Sequence, residues 1–294
     1  MSEEPKSPYS PFDPNNNNNL MLPRDRREVN AWTRHYYITH PIVATWIDEI
    51  INQVYSSFYL IKKSNMSDAD FAKINNYFFK DGEFIFTSKC IDIVRELNIN
   101  GEAFPYINIG KDKMLEVNVP NPDYINVTSK AFGETSISLI ADDELKKIIK
   151  SNDPKDKVLV KTLDPEIIES VKNDKPIPIS PDYISHLAIK NHSYDIRGSS
   201  KLIKFFKTLM KEDRLNEIAF EQGVVYTEIV SKEIKRECST KAFESNLKLQ
   251  RSMLEKWITE RLIKVFLKTH RIKGDVDLAW REKIDVEGIR EIFK

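Results

Sequence analysis

The chain has 294 residues and 34.3 kDa, with 45 Lys and Arg against 45 Asp and Glu, 40% hydrophobic residues and 10% aromatics. That apolar content supports one to three domains with buried cores and excludes wholesale disorder, while 8 Gly and 2 Cys exclude collagen-like and disulfide-scaffold classes. Cys90 and Cys238 form no CxxC pair, and neither a signal peptide nor a run of roughly 18 apolar residues is present, so a soluble, unsecreted chain with no membrane span is expected.

Residues 1 to 22 hold four prolines and the run Asn15 to Asn19, a composition that buries too little apolar area to offset chain entropy, and read as a flexible arm. Val29, Trp32, Tyr36 and Tyr37 then recur at helical spacing until His40-Pro41 interrupts. Pro41 suits a first helical turn, and Ile42, Val43, Trp46, Ile47, Ile50, Ile51, Val54 and Tyr55 give the following helix one buried face. Ser67, with Asp68 and Asp70 after it, starts a helix expected to run to about Asp81-Gly82, and another is expected from Thr87 to Leu97.

From Asn100 to Gly110 the period drops to two, and it does so again at Leu115, Val117 and Val119, predicting a hairpin across Lys111 to Lys113. Asn121-Pro122-Asp123 is a turn, Tyr124 to Val127 and Ser136 to Ile140 are strands, and Asp142 to Lys150 is a short helix. Three prolines from Pro176 to Pro181 force an extended approach to a strand over Tyr183 to Ile189. Arg197-Gly198-Ser199-Ser200 forms a turn and N-cap for a helix from Lys201 to about Gln222, and a longer one is predicted from Thr240 to His270. The first half is mixed α and β and the last third mostly helical.

The balanced total charge hides segregation: residues 201 to 273 carry 17 Lys and Arg against 10 Asp and Glu, leaving the remainder acidic. Lys201, Lys204, Lys207, Lys211 and Arg214 are spaced to share one helical stripe, which suits phosphates or an acidic neighbour. Lys248 and Arg251 add basic positions to the later helix, whose large apolar share fits either the domain interior or a subunit interface. These seven residues are the candidate DNA or subunit contacts.

A catalytic reading finds little. His35 and His40 are spaced five apart across a helix break, with no HExxH, so surface or core roles fit them better than metal ligation. Ser185 beside His186 is not accompanied by GxSxG, His192 lies past the same strand, and glycine is too scarce for a phosphate-cradling loop. Asp142-Asp143-Glu144 would suit a magnesium cluster in a nuclease, but at a helix start such carboxylates are dipole partners first. No catalytic residue, metal site or cofactor is assigned.

Four stretches in order carry a family resemblance: RDRREVNAWTRHYYITHPIVATWIDEIINQVYSSFYL from Arg24; Glu96 to Val127, with NGEAFPYINI and LEVNVPNPDYINV; Asp182 to Glu217, where a His-containing strand leads into a G-S turn and a helix; and LKLQRSMLEKWITERLIKVF from Leu247. Together they resemble the portal proteins of tailed bacteriophages, notably the large contractile-tailed ones. The resemblance implies an α+β, ring-forming wing domain followed by long helices of the stem and tunnel region. On that frame residues 1-23 are the arm, 24-196 the wing, 197-239 the helix leading to a stem, and 240-294 the long helix after the tunnel loop and the return to wing or crown.

It implies a non-enzymatic homo-oligomer, usually a dodecameric ring, at the capsid portal vertex of the virion, assembled in the host cytoplasm. Double-stranded DNA would pass through its channel during packaging and ejection. Its partners would be the major capsid protein, the terminase large subunit in transit, and the head-tail adaptor or neck proteins. In the family two stem helices and a clip separate the two long helices, whereas here only Gly223 to Ser239 intervenes, too short at roughly 1.5 Å of helical rise per residue. Three readings remain open: a reduced portal, a sequence from which stem and clip are missing, or a protein that borrows only the wing. The second is favoured by the likeness of both flanks. The alternative function is a minor capsid or neck protein on a wing-like fold without a channel.

Overall fold

The computed structural model describes residues 25–129, 135–192, 195–220 and 228–293, apart from the side chains at 162 and 217–220. The arm expected before residue 24 lies outside the described residues. Among the described residues the chain is mixed α+β, with no closed barrel.

Helices α1 (Arg26–Thr39) and α2 (Pro41–Val54) meet at His40. Asp25 caps α1 by accepting from Arg27 N, and Pro41 opens α2, as the His-Pro step predicts. Every apolar position assigned to the inner face of α2 from Val43 to Val54 is buried. Strand β1 (Phe58–Lys62) pairs antiparallel with β11 (Val276–Trp280), joining segments more than two hundred residues apart. Ser67 caps α3 (Asp68–Phe78), which stops one turn short of the expected Asp81-Gly82. Both of those residues take positive φ and turn the chain between β2 (Phe79–Lys80) and β3 (Glu83–Phe84), so the Asp-Gly pair makes a hairpin and not a helix end.

Helix α4 (Thr87–Ile99) leads into β4 (Glu102–Ala103), and the predicted hairpin is β5 (Tyr106–Ile109) against β6 (Leu115–Asn118). Strands β7 (Ile125–Ser129), β8 (Thr135–Leu139) and β9 (Ile177–Pro178) form a three-stranded sheet. Between β8 and β9 come α5 (Asp143–Lys150), α6 (Pro154–Thr162) and α7 (Pro165–Lys172). The last two follow Asp153-Pro154 and Asp164-Pro165, each Asp accepting a backbone N–H two residues on. The strand expected over Tyr183 to Ile189 is reduced to β10 (Leu187–Ala188) and a single bridge from Ile184 to Tyr106.

Ser200 caps the next helix as predicted, but its first turn, Lys201–Phe205, is a 3-10 helix before α8 (Phe206–Phe220) begins. Helix α9 (Glu228–Cys238) runs back along α8, with Thr208 on Glu233 and Glu212 on the backbone N–H of Val230. Thr240 then caps α10 (Lys241–Trp257), which widens to a π-helix over Ile258–Ile263 and continues as α11 (Lys264–His270) until Arg271 ends it in the left-handed region. This is the long helix expected from Thr240 to His270. Helix α12 (Val286–Ile292) closes the chain.

The main core runs from Tyr36 to Phe293 and draws on residues either side of positions 196 and 239, so wing and long helices share one interior. Trp46 of α2 meets Phe205 edge-on at 5.4 Å and stacks on Phe243 of α10 at 6.3 Å, tying three segments with side chains that each contribute about 2 kcal/mol on burial. A second aromatic group joins Phe78, Phe84 and Phe266. Smaller cores lie under the three-stranded sheet, around Phe104 and Ile125, and beneath α5 and α7, around Ile149 and Val171.

Candidate functional site

Asn100-Gly101-Glu102 turns out of α4 into β4, and Arg197-Gly198-Ser199 passes over it backbone against backbone. Glu102, wholly buried, is the hub of this crossing. Its Oε1 accepts from Arg26 Nη2 at 2.6 Å and Arg197 Nε at 2.8 Å, and its Oε2 accepts from the Gly198 N–H at 3.1 Å and lies 3.0 Å from His186 Nε2. Burial by itself would raise the Glu102 pKa, but the hydrogen bonds from His186 and Arg197 and the charges of Arg26 and Arg197 outweigh it and hold it at about 2. With both oxygens engaged, this carboxylate has no capacity left to take a proton from a substrate. It is an anchor, and a charged residue amid apolar neighbours in NGEAF was the one sequence sign of it.

His186 stacks on Phe104 at 4.6 Å, and Arg197 lies over the same ring. Its outer side lines a groove of about 580 Å³ whose far wall is Lys256, Trp257, Glu260 and Arg261 at the end of α10 and in the π turn. Ser185 lines the same groove, and among the described residues no hydrogen bond joins it to His186. His40 is buried with Nε2 3.3 Å from Glu212 Oε1, and His35 meets Tyr36 edge-on. Asp142 caps α5 through Leu145 N, with Asp143 and Glu144 in the first turn. Among the described residues no group of three or more His, Cys, Asp or Glu converges as a metal site, and no helix is long and apolar enough to cross a membrane.

The basic stripe divides. Lys201 is drawn in over the Phe243 ring at 5.3 Å, where burial pulls its pKa down to about 8. Lys204 pairs with Glu237 of α9. Lys207, Lys211 and Arg214 stay exposed on α8, and no carboxylate among the described residues pairs with them. On α10, Lys248 pairs with Glu244 one turn back. Arg251 points inward: its Nε donates to Val54 O at 3.1 Å and Nη1 to Glu282 O at 2.7 Å, Nη2 reaches Gln53 O, and the guanidinium lies over Trp280. The expected contact residue Arg251 is therefore engaged within the chain, holding the end of α2, and of the seven candidates three carry a surface charge that no carboxylate among the described residues pairs.

Beside it, Asn98 and Gln250 exchange two hydrogen bonds at 2.8 and 3.1 Å, linking α4 to α10 in the buried interior. The chain matches no protein-family model and no curated protein.

Proposed function

We propose that this chain is a subunit of a portal-type ring in a tailed-phage capsid, a channel for double-stranded DNA with docking surfaces for terminase and head-tail connector proteins. One observation supports it above the others. The four stretches that carry the resemblance converge on one interior: Arg26 and Glu102 meet Arg197, Trp46 meets Phe205, and Asn98 meets Gln250. A likeness scattered over unrelated surfaces would carry little weight, whereas one that maps onto a shared core follows the part of a fold that is most constrained. The reading assigns no reaction to the chain.

Subunit contacts would draw on the free cations Lys207, Lys211 and Arg214 and on apolar side chains left in water, such as Ile38 at 77% and Leu249 at 48% exposure. Negative-stain electron microscopy of the purified full chain tests the reading. Rings with a central channel are expected; a species that stays monomeric at high concentration would count decisively against it.

A second reading, a minor capsid or neck protein on the wing fold without a channel, is favoured by the α8–α9 pair. Glu212 caps the start of α9 from α8, and Thr208 pairs with Glu233, so the two helices form a closed antiparallel hairpin with only residues 221–227 between them. A stem and clip would have to enter there. Closed oligomers lacking a channel in the same micrographs would select this reading.

A further inference from the structure

Three charged side chains collect where the long helix changes pitch. Lys256 lies in the last turn of α10, and Glu260 and Arg261 lie in the π-helical turn over Ile258–Ile263; all three are exposed, and all three line the groove of about 580 Å³ that also takes in His186. Lys256 and Glu260 have the four-residue spacing that pairs charges on an α-helix, yet among the described residues no ion pair engages either of them or Arg261. Lys256 and Arg261 are five apart, which at 3.6 residues per turn would set them about 140° from each other. The i→i+5 bonding of the π turn takes more residues per turn and swings Arg261 back toward the face of Lys256. The change of pitch thus brings two unspent cations to one groove.

One contact ties this turn to the chain beyond β9: Arg261 Nη1 meets the Pro181 carbonyl oxygen at 3.5 Å. That hydrogen bond is long and uses one of five guanidinium N–H groups, so the others keep their capacity for an anion. Ile137, Ile179, Leu187 and Met253 supply aliphatic surface to the same groove, and Ile179 is held to β8 by its N–H on Ile137 O at 3.3 Å. Ser136 and Ser185 add hydroxyls able to donate to an oxyanion. His186 brings no spare charge, since its Nε2 is taken up by the Glu102 carboxylate. Two cations against one carboxylate leave an excess of positive charge beside apolar surface, in a volume that suits a small molecule.

We infer that this groove binds a small amphipathic anion, a phosphate monoester or carboxylate on an aliphatic body, with the oxyanion on Lys256 and Arg261 and the body against the aliphatic side chains. Glu260 opposes the oxyanion and holds the affinity below what the two cations alone would give. The inference concerns a site within one chain and stands apart from the portal reading.

Isothermal titration calorimetry of the full chain with hexyl phosphate tests it. One saturable site per chain is expected, with inorganic phosphate and hexanol each at least about 10-fold weaker, because each keeps only half of the recognition. Lys256→Gln and Arg261→Gln should each weaken hexyl phosphate about 3-fold or more and together about 10-fold or more, whereas Glu260→Gln should tighten it. All three positions are exposed, so the melting temperature without ligand should stay within a few degrees. Lys207→Glu, on α8 and outside the groove, should leave the affinity unchanged; an equal loss there would mean attraction to any basic surface and would overturn the inference. Hexanoate titrated in parallel tells phosphate from carboxylate, and either one as the tighter ligand supports the site. Wild-type affinity in the Lys256→Gln, Arg261→Gln double variant, hexanol binding as tightly as hexyl phosphate, or displacement by hexyltrimethylammonium would each overturn it.

Discussion

Gly101 and Gly198 lie backbone to backbone: a Cβ on Gly198 would sit 1.9 Å from the Gly101 carbonyl oxygen, and one on Gly101 would sit 2.2 Å from the Ser199 carbonyl carbon. Gly101 also holds φ at +81°, a region that L side chains rarely adopt. The crossing aligns the Gly198 N–H with Glu102, so steric fit and charge pairing depend on each other. Gly198→Ala is therefore expected to cost about 3–5 kcal/mol, at the upper end for a single substitution, because the obstruction is backbone that cannot swing aside. Urea titration followed by circular dichroism measures it, and a loss under 1 kcal/mol would show that the two segments separate easily.

Glu102→Gln keeps the shape and removes the charge that two arginines share. Leaving both guanidiniums without their carboxylate should cost about 3–5 kcal/mol. Wild-type stability carries the matching pH signature. The folded Glu102 pKa is held at about 2, below the usual 4.5, so its contribution is complete above pH 4.5 and is lost as pH falls toward 2. The loss amounts to about 3 kcal/mol across that window. Melting curves from pH 6 to pH 2.5 should fall more steeply for wild type than for Glu102→Gln; parallel curves would remove Glu102 from its role.

Lys201 gives a pH dependence of the same sign in an alkaline window, although here the buried charge destabilises the fold. Its folded pKa of about 8 lies below the usual 10.5, so between these values the unfolded chain binds the extra proton and stability rises with pH. Lys201→Met, which keeps the stem over Phe243 and drops the charge, should raise stability below pH 8 by up to about 3 kcal/mol and flatten the rise. The comparison is best read from pH 7 to 9.5, because tyrosines with raised pKa, among them Tyr55 at about 12, work in the other direction at higher pH.

Local elements were legible wherever the signal was local. The apolar spacing of α2, the caps at Ser67, Asp142, Ser200 and Thr240, and the long run to His270 all read directly from neighbours along the chain. Asp-Pro at 153–154 and 164–165 carries the same kind of signal for α6 and α7, but helices so short have no clear apolar period to accompany it. The Glu102 hub was not legible, since Arg26, His186 and Arg197 stand far from it in sequence and only the Gly101–Gly198 crossing brings them together. The basic stripe was legible as a stripe. Which of its cations stay free depends on Glu237 and Phe243, which belong to helices that fold back over it.

The three free cations of α8 can be separated from the fold. Lys207→Glu, Lys211→Glu and Arg214→Glu together should leave the melting temperature within a few degrees, since exposed positions each carry under about 0.5 kcal/mol. If they meet an acidic surface on a neighbouring subunit, ring yield should drop several-fold and not recover at low salt. If the proposed channel reading holds, duplex DNA affinity of the wild type should stay weak with a shallow salt slope, because a channel that grips phosphates would stall its cargo. An unchanged ring yield alongside a steep, mutation-sensitive salt slope would reassign these residues to DNA contact.

Arg251 puts the two roles for a basic residue into direct opposition. A surface contact would lose binding and keep stability, whereas the geometry expects the reverse, because the guanidinium satisfies the Gln53 and Val54 carbonyls at the end of α2 and the Glu282 carbonyl in the loop after β11. Arg251→Ala leaves those acceptors unpaired and uncovers Trp280, a loss of about 2–4 kcal/mol. Arg251→Lys should recover less than half of it, since one ammonium cannot span three divergent carbonyls or stack flat on the indole. Thermal denaturation of both variants decides the matter: the ordering wild type, Lys, Ala is expected, and a stable Arg251→Ala chain that no longer assembles would return this residue to the subunit interface.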